Sequence, residues 1–170
     1  MKIRKATSTD ANAIAKVQVD SWKTTYRNII PDEYLNQMTY KSREQKWANI
    51  ISKQSVFLAE SDEGEVVGFS NGGIERSGKY PSYKGELFAI YILAKYQRKG
   101  LGKLLLKPII DELIKQGIFT MVVLVLEENR SRLFYESLGA RVIGIEEIKI
   151  YEKRLHELVY GWDDIRAIKQ

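Results

Sequence analysis

"YILAKYQRKGLGKLLL", residues 91–106, carries the decision about the fold. The apolar run "ELFAIYIL" (86–93) ends here, and "LGKLLLKPIIDELIKQG" (101–117), which has helical periodicity, begins. Between them Gly100 and Gly102 stand among Arg98, Lys99 and Lys103. The first N–H groups of a helix have no intrahelical partner and carry partial positive charge, so they bind anions readily. Glycine lets the backbone come close and accepts unusual backbone angles. The plainer reading is a flexible turn with solvated lysines; the sharper one is a phosphate cradle. A Walker loop needs Gly-Lys-Ser/Thr for magnesium, but Leu104 follows Gly102-Lys103. A dinucleotide fingerprint needs a third glycine where Leu105 stands. A metal-free pyrophosphate site at a strand-to-helix junction remains.

Upstream, "KIRKA" reads as a strand, and "STDANAIAKVQVDSWKTTY" (8–26) as a helix with Ile14, Val17, Ser21 and Trp22 on one face, capped by Ser8 or Thr9. Pro31, Asp32 and Glu33 suit the first turn of a second helix, which continues through Trp47, Ile50 and Ile51. "SVFLAES" and "EVVGFSNGGI" are two strands around a "DEG" turn. Downstream of Gly117, a good helix stop, "FTMVVLVL" is apolar enough to be buried on both faces. Pro108 removes one backbone bond inside the preceding helix, so a kink is expected. "NRSRLFYESLG" (129–139) is a short helix, and "RVIGIEEIKI" and "LHELVYGWD" are closing strands. The order β-α-α-β-β-β-α-β-α-β-β makes an α/β protein, a mixed sheet with helices on both faces.

At 170 residues, with 44% hydrophobic and 29% charged residues, the expectation is one globular domain spanning 1–170. The absence of cysteine excludes disulfides, cysteine metal sites and thiol catalysis. His156, the one histidine, cannot build a His-rich metal site and reads as an ordinary strand residue. No apolar signal segment opens the chain, and "IFTMVVLVL" is too short to span a bilayer, so a cytoplasmic protein without a membrane partner is expected. A net charge of +5 suits an anionic cofactor or nucleic acid. No arginine-rich block, zinc-finger spacing or RNA-binding aromatic motif appears, and nucleic acid is the weaker reading.

The spacing Gln97-Arg98-Lys99-Gly100-Leu101-Gly102 resembles the Gln/Arg-x-x-Gly-x-Gly/Ala signature of the GCN5-related N-acetyltransferase family. "GELFAIYILAKYQRKGLG" looks like that family's fourth strand and cofactor loop, and "VLEENRSRLFYESLGA" like its fifth strand and fourth helix. "DSWKTTYRNIIPDEYL" and "ELVYGW" resemble the first helices and last strand of a bacterial branch, so the likeness covers essentially the whole chain. It implies acetyl-coenzyme A as cosubstrate, no metal, and an amine acceptor. The acetyl group would pass directly within a ternary complex, since no cysteine is present to carry it.

The resemblance also assigns residues. The N–H groups of Gln97 to Lys103 would hold the pyrophosphate. The splayed strand around Ile92 and Leu93 would bind pantetheine and polarise the acetyl carbonyl. Glu86 would be the base, or else a solvated strand-end carboxylate. Tyr135 would protonate the departing thiolate, or else be a core aromatic. Asn129 would bind the pantetheine amide or cap the helix; the commoner family spacing falls on Glu128. Phe134 is a cofactor contact or core. Trp22, Tyr26, Asp32, Glu33, Tyr160 and Trp162 would shape a pocket for a cationic amine, or else Trp22 is simply core, the preferred reading for that residue. An acyl-coenzyme A sensor of the same fold, without catalysis, is the alternative, and family habit suggests a monomer or small homo-oligomer.

Overall fold

The computed structural model describes residues 1–170. Strand β1 (Lys2–Lys5) leads into helix α1 (Ala11–Thr25), followed by α2 (Asp32–Gln37) and α3 (Tyr40–Lys53). Strands β2 (Val56–Glu60), β3 (Val66–Ile74) and β4 (Gly85–Ile92) come next, then α4 (Leu101–Lys115), β5 (Met121–Leu126), α5 (Arg132–Ser137), β6 (Arg141–Ile150) and β7 (Lys153–Trp162). The seven strands form one sheet in the order β1-β2-β3-β4-β5-β7-β6. β4 and β5 are parallel and every other pair is antiparallel. The mixed α/β architecture with helices on both faces is as the sequence predicts.

Two local readings are corrected. Ser8 and Thr9 do not cap α1; they lie in a one-turn 3₁₀ helix, and the Thr7 N–H donates to Asp10 Oδ2 at 2.7 Å in a capping box. The helix expected to run from Pro31 to Ile51 is two helices. Thr39 adopts an extended conformation (φ −108°, ψ 153°), and its hydroxyl accepts the Ser42 N–H, so a fresh cap starts α3. Pro108 lies inside α4.

Alternation along the strands separates two faces. Leu87, Met121, Val123, Val125, Leu158, Tyr160 and Trp162 pack with Leu106, Ile109 and Leu113 of α4, with Tyr135 of α5 and with Leu138 just after it. On the other face Leu126 and Leu155 pack with Val19 of α1, Tyr26 just after it and Leu35 of α2, while Val122 and Val159 meet Tyr83. No helix is long and apolar enough to cross a membrane.

Candidate active site

The sheet parts between β4 and β5. They pair only over Gly85–Leu87 and Met121–Val123. Just beyond, Asn71 pairs with Ala89 and Gly72 with Leu87, so Phe88 is an extra residue in β4. A bulge bends its strand, and here it falls where the pairing with β5 ends. The gap is a cleft lined by Ala89–Ile92, Val123–Val125, Tyr26, Asn129 and Tyr135.

At one end of the cleft lies the glycine loop. Arg98 (φ 63°) and Gly100 (φ 82°) are left-handed, and Gly100 caps α4. Such turns point successive N–H groups into one concavity. The six N–H groups of Arg98 to Lys103 make no hydrogen bond within the protein. Gly102 lies against Phe134: a β-carbon there would sit 2.9 Å from Phe134 Cζ. Arg98, Lys99 and Lys103 are exposed around the loop, whereas Leu101 is buried and anchors it. These residues fit a pyrophosphate: open donors, no side chain in the way, and cations at the rim.

Gln97 lines the cleft, and its Nε2 donates to the Ile92 carbonyl at 2.9 Å. The Leu93 N–H donates to Val67 and its carbonyl accepts from Tyr96. Both backbone groups of Leu93 are therefore spent inside the protein, and alternation turns those of Ile92, not Leu93, toward the cleft.

Tyr135 is buried in α5, its ring edge-on to Trp162 at 6.0 Å. Its hydroxyl makes no hydrogen bond within the protein, and the residue lines the cleft. Burial, and then Tyr26 nearby, push that hydroxyl well above the usual tyrosine range. Asn129 is buried; its Oδ1 accepts the Ser131 N–H at 2.9 Å, which starts α5, and its Nδ2 donates to the Tyr26 hydroxyl at 3.2 Å.

Glu86 is also buried rather than solvated, on the face away from Tyr135. Oε1 accepts the backbone N–H and Nε of Arg76, and Oε2 accepts a terminal guanidinium N–H at 2.8 Å. Trp22 stacks at 4.7 Å from Tyr26 and 6.0 Å from Tyr91, and Tyr26 reaches the cleft. Asp32 and Glu33 are exposed on α2. Tyr160 and Trp162 do not join this side: they face α5, where Tyr160 bonds Glu136 and Trp162 Nε1 bonds the Leu138 carbonyl. His156 is exposed on β7, 3.7 Å from Glu127 and 3.8 Å from Glu147. Sequence reasoning passed over Arg76, Glu146 and Glu157. Only tertiary pairing brings them to this face, although a lone glutamate between Leu155 and Val159 in an alternating strand was a usable signal. No group of three or more His, Cys, Asp or Glu side chains is arranged to hold a metal ion.

The chain is similar to known proteins in sequence and fold. The model of the acetyltransferase (GNAT) family matches residues 19–140. An uncharacterized N-acetyltransferase of Bacillus subtilis, YuaI, is 41% identical over 167 residues, covering 98% of this chain and 95% of its own. A spermidine N(1)-acetyltransferase of Thermoplasma acidophilum is 30% identical over 149 residues, covering 84% and 89%. The crystal structure of the PaiA N-acetyltransferase from Thermoplasma acidophilum in complex with coenzyme A superposes with a TM-score of 0.75 at 24% identity, over 94% of this chain and 96% of that one. With the family model spanning most of the chain and the fold matched along its length, the chain belongs to the GNAT family of acetyltransferases, enzymes that draw their acetyl group from acetyl-coenzyme A.

Proposed function

We propose that this protein transfers the acetyl group of acetyl-coenzyme A directly to the primary amine of a small cationic acceptor of the polyamine class, in a ternary complex. The observation that carries the reading is the row of six unbonded N–H groups at one end of a cleft into which Tyr135 faces. The Arg98–Lys103 loop takes the pyrophosphate, with Phe134 and Gly102 setting its floor. The Ile92 backbone faces the thioester, where donors to a developing oxyanion are worth ~3 kcal/mol. Asn129 holds one wall of the cleft. Tyr135, kept protonated by burial, gives its proton to sulfur as the carbon–sulfur bond breaks. The chain has no cysteine to accept the acetyl group, which favours direct transfer.

The acceptor side carries carboxylates: Glu127 and Glu128 are exposed beside Ile29 and Leu155, together with Arg154 and His156, and Glu86, Glu146 and Glu157 share the α1–α2 face of the sheet. The relative named for spermidine supports the same class of acceptor. Glu86, both oxygens engaged by Arg76, serves in this reading as a fixed charge on that side. The protein works as a monomer or small homo-oligomer.

An amine panel of spermidine, spermine, putrescine, amino acids, an aminoglycoside and an alanine-terminated peptide, assayed for free thiol from acetyl-coenzyme A, tests the reading. Spermidine or spermine is expected to lead. Thiol release no faster with any amine than without one overturns catalysis and leaves the sensor alternative.

A further inference from the structure

The geometry points to Glu157 as the group that takes the proton from the acceptor ammonium. This inference rests on the acetyl-transfer reading above and names a residue that reading leaves open. An ammonium of pKa ~10.4 is neutral in only about one molecule in a few thousand at pH 7, so a proton acceptor on the acceptor side is needed.

Glu157 stands on β7 opposite Leu126, between Leu155 and Val159. Those neighbours put it on the α1–α2 face, away from α4 and α5. Leu155 and Val159 are buried in apolar clusters, and an apolar residue at 157 would complete the stripe. A carboxylate stands there instead, partly buried, in no hydrogen bond or ion pair. Leu126 opposite it and Leu155 beside it pack in one cluster with Tyr26, which lines the cleft. The other carboxylates of this face are occupied: Glu86 by Arg76, and Glu146 by the Tyr80 hydroxyl and Lys79.

The charged and titratable groups on this face around Glu157 are Glu146, directly opposite on β6, with Lys79 and Tyr80 of the loop before β4 bonded to it, Glu86 on β4, and Tyr26 just after α1. Burial first, then Glu146 and Glu86, raise its carboxyl above the usual range, with Lys79 opposing. That shift moves a carboxylate toward the basicity proton transfer requires.

The Glu157 carboxylate takes one proton from R–NH3⁺ and passes it to water. The freed nitrogen lone pair forms the carbon–nitrogen bond, and the carbon–sulfur bond breaks. Tyr135 gives its proton to sulfur and is reprotonated by the second proton leaving nitrogen. Net, one proton is released per acetyl group.

The test is the pH dependence of turnover in Glu157→Gln, an isosteric change, on the amine best used by the parent. At neutral pH kcat is expected to fall by about 10²-fold or more. It should then recover about tenfold per pH unit toward the amine's own pKa ~10.4, because solution supplies the free base. Coenzyme A affinity should hold, since Glu157 lies on the other face. A kcat within about threefold of the parent overturns the inference, as does a loss that is uniform with pH. A raised KM at unchanged kcat overturns it too, since Glu157 then only holds the ammonium. So does an acid limb that moves in Glu86→Gln and not in Glu157→Gln. If the parent itself acetylates no amine, the proposed function fails and this inference with it; an active parent beside an unaffected variant removes this inference alone.

Discussion

Asn129 Nδ2 donates a hydrogen bond to the Tyr26 hydroxyl at 3.2 Å, joining residues 103 positions apart in the chain. The bond ties the end of α1 to the turn that starts α5, so one wall of the cleft depends on both. Tyr26→Phe keeps the ring and leaves a buried amide donor without its acceptor. A loss of about 1–3 kcal/mol in urea unfolding is expected, the usual result of orphaning a buried polar group. A change under about 0.5 kcal/mol would mean that Asn129 finds another acceptor.

The two loop glycines separate contact from conformation. At Gly102 a β-carbon would sit 2.9 Å from Phe134, and a glutamate would add negative charge beside the anion cradle. Gly102→Glu should weaken coenzyme A binding at least tenfold, about 1.4 kcal/mol, in calorimetric titration. At Gly100 nothing lies within 4 Å, but φ is +82°. Gly100→Ala should therefore lower stability by about 1 kcal/mol through backbone strain alone. Unchanged affinity in Gly102→Glu would remove the loop as the pyrophosphate site.

Far from the cleft, Asp10 predicts the acid side of the stability curve. Its carboxylate accepts from Arg4 at 2.8 and 2.9 Å and from the Thr7 N–H, and its pKa is lowered to about 2, chiefly by the Arg4 hydrogen bonds. A depressed carboxyl stabilises the fold above its unfolded pKa near 3.9, and that contribution is lost as pH falls through about 2. Arg4 is partly exposed and solvent screens the pair, so about 1–2 kcal/mol is expected. Asp10→Asn should lose that amount at pH 7, and its stability should fall less between about pH 4 and 2 than the parent's. Parallel curves for parent and variant over that window would contradict this.

Much of this was legible from the chain because local signals agreed with the fold. The strand-to-helix junction at 91–106, the apolar β5 run and the α1 stripe through Ile14, Val17 and Ser21 each rest on periodicity that tertiary contacts reinforce. What stayed hidden depends on pairing between distant segments. Phe88 becomes a bulge only through the register of β3 on β4. Arg76 meets Glu86 only because β3 and β4 are antiparallel neighbours. Leu93 reads as a cleft residue until its N–H is found bonded to Val67. Tyr160 and Trp162 read as pocket aromatics, but alternation along β7 turns them to the α5 face.

Tyr135 gives the last prediction. Its ring is packed against Phe134, Tyr160 and Trp162, while its hydroxyl has no protein partner and the residue borders the cleft. A buried tyrosine serving only as packing usually finds a hydrogen-bond partner for its hydroxyl, so this one is better accounted for as a donor to the substrate. Because burial raises its pKa, Tyr135 stays protonated across neutral pH and into the alkaline range, and it should set no alkaline limb there. Tyr135→Phe removes only the hydroxyl, and no internal bond is lost, so stability and coenzyme A affinity should stay near the parent's. Turnover should fall by about 10²- to 10⁴-fold, the usual effect of losing a general acid. A leaving thiol more acidic than that of coenzyme A should restore much of the rate, since such a thiolate departs without a proton. If Tyr135→Phe turns over within about threefold of the parent while chemistry limits the rate, the residue is packing and the thiolate takes its proton from water.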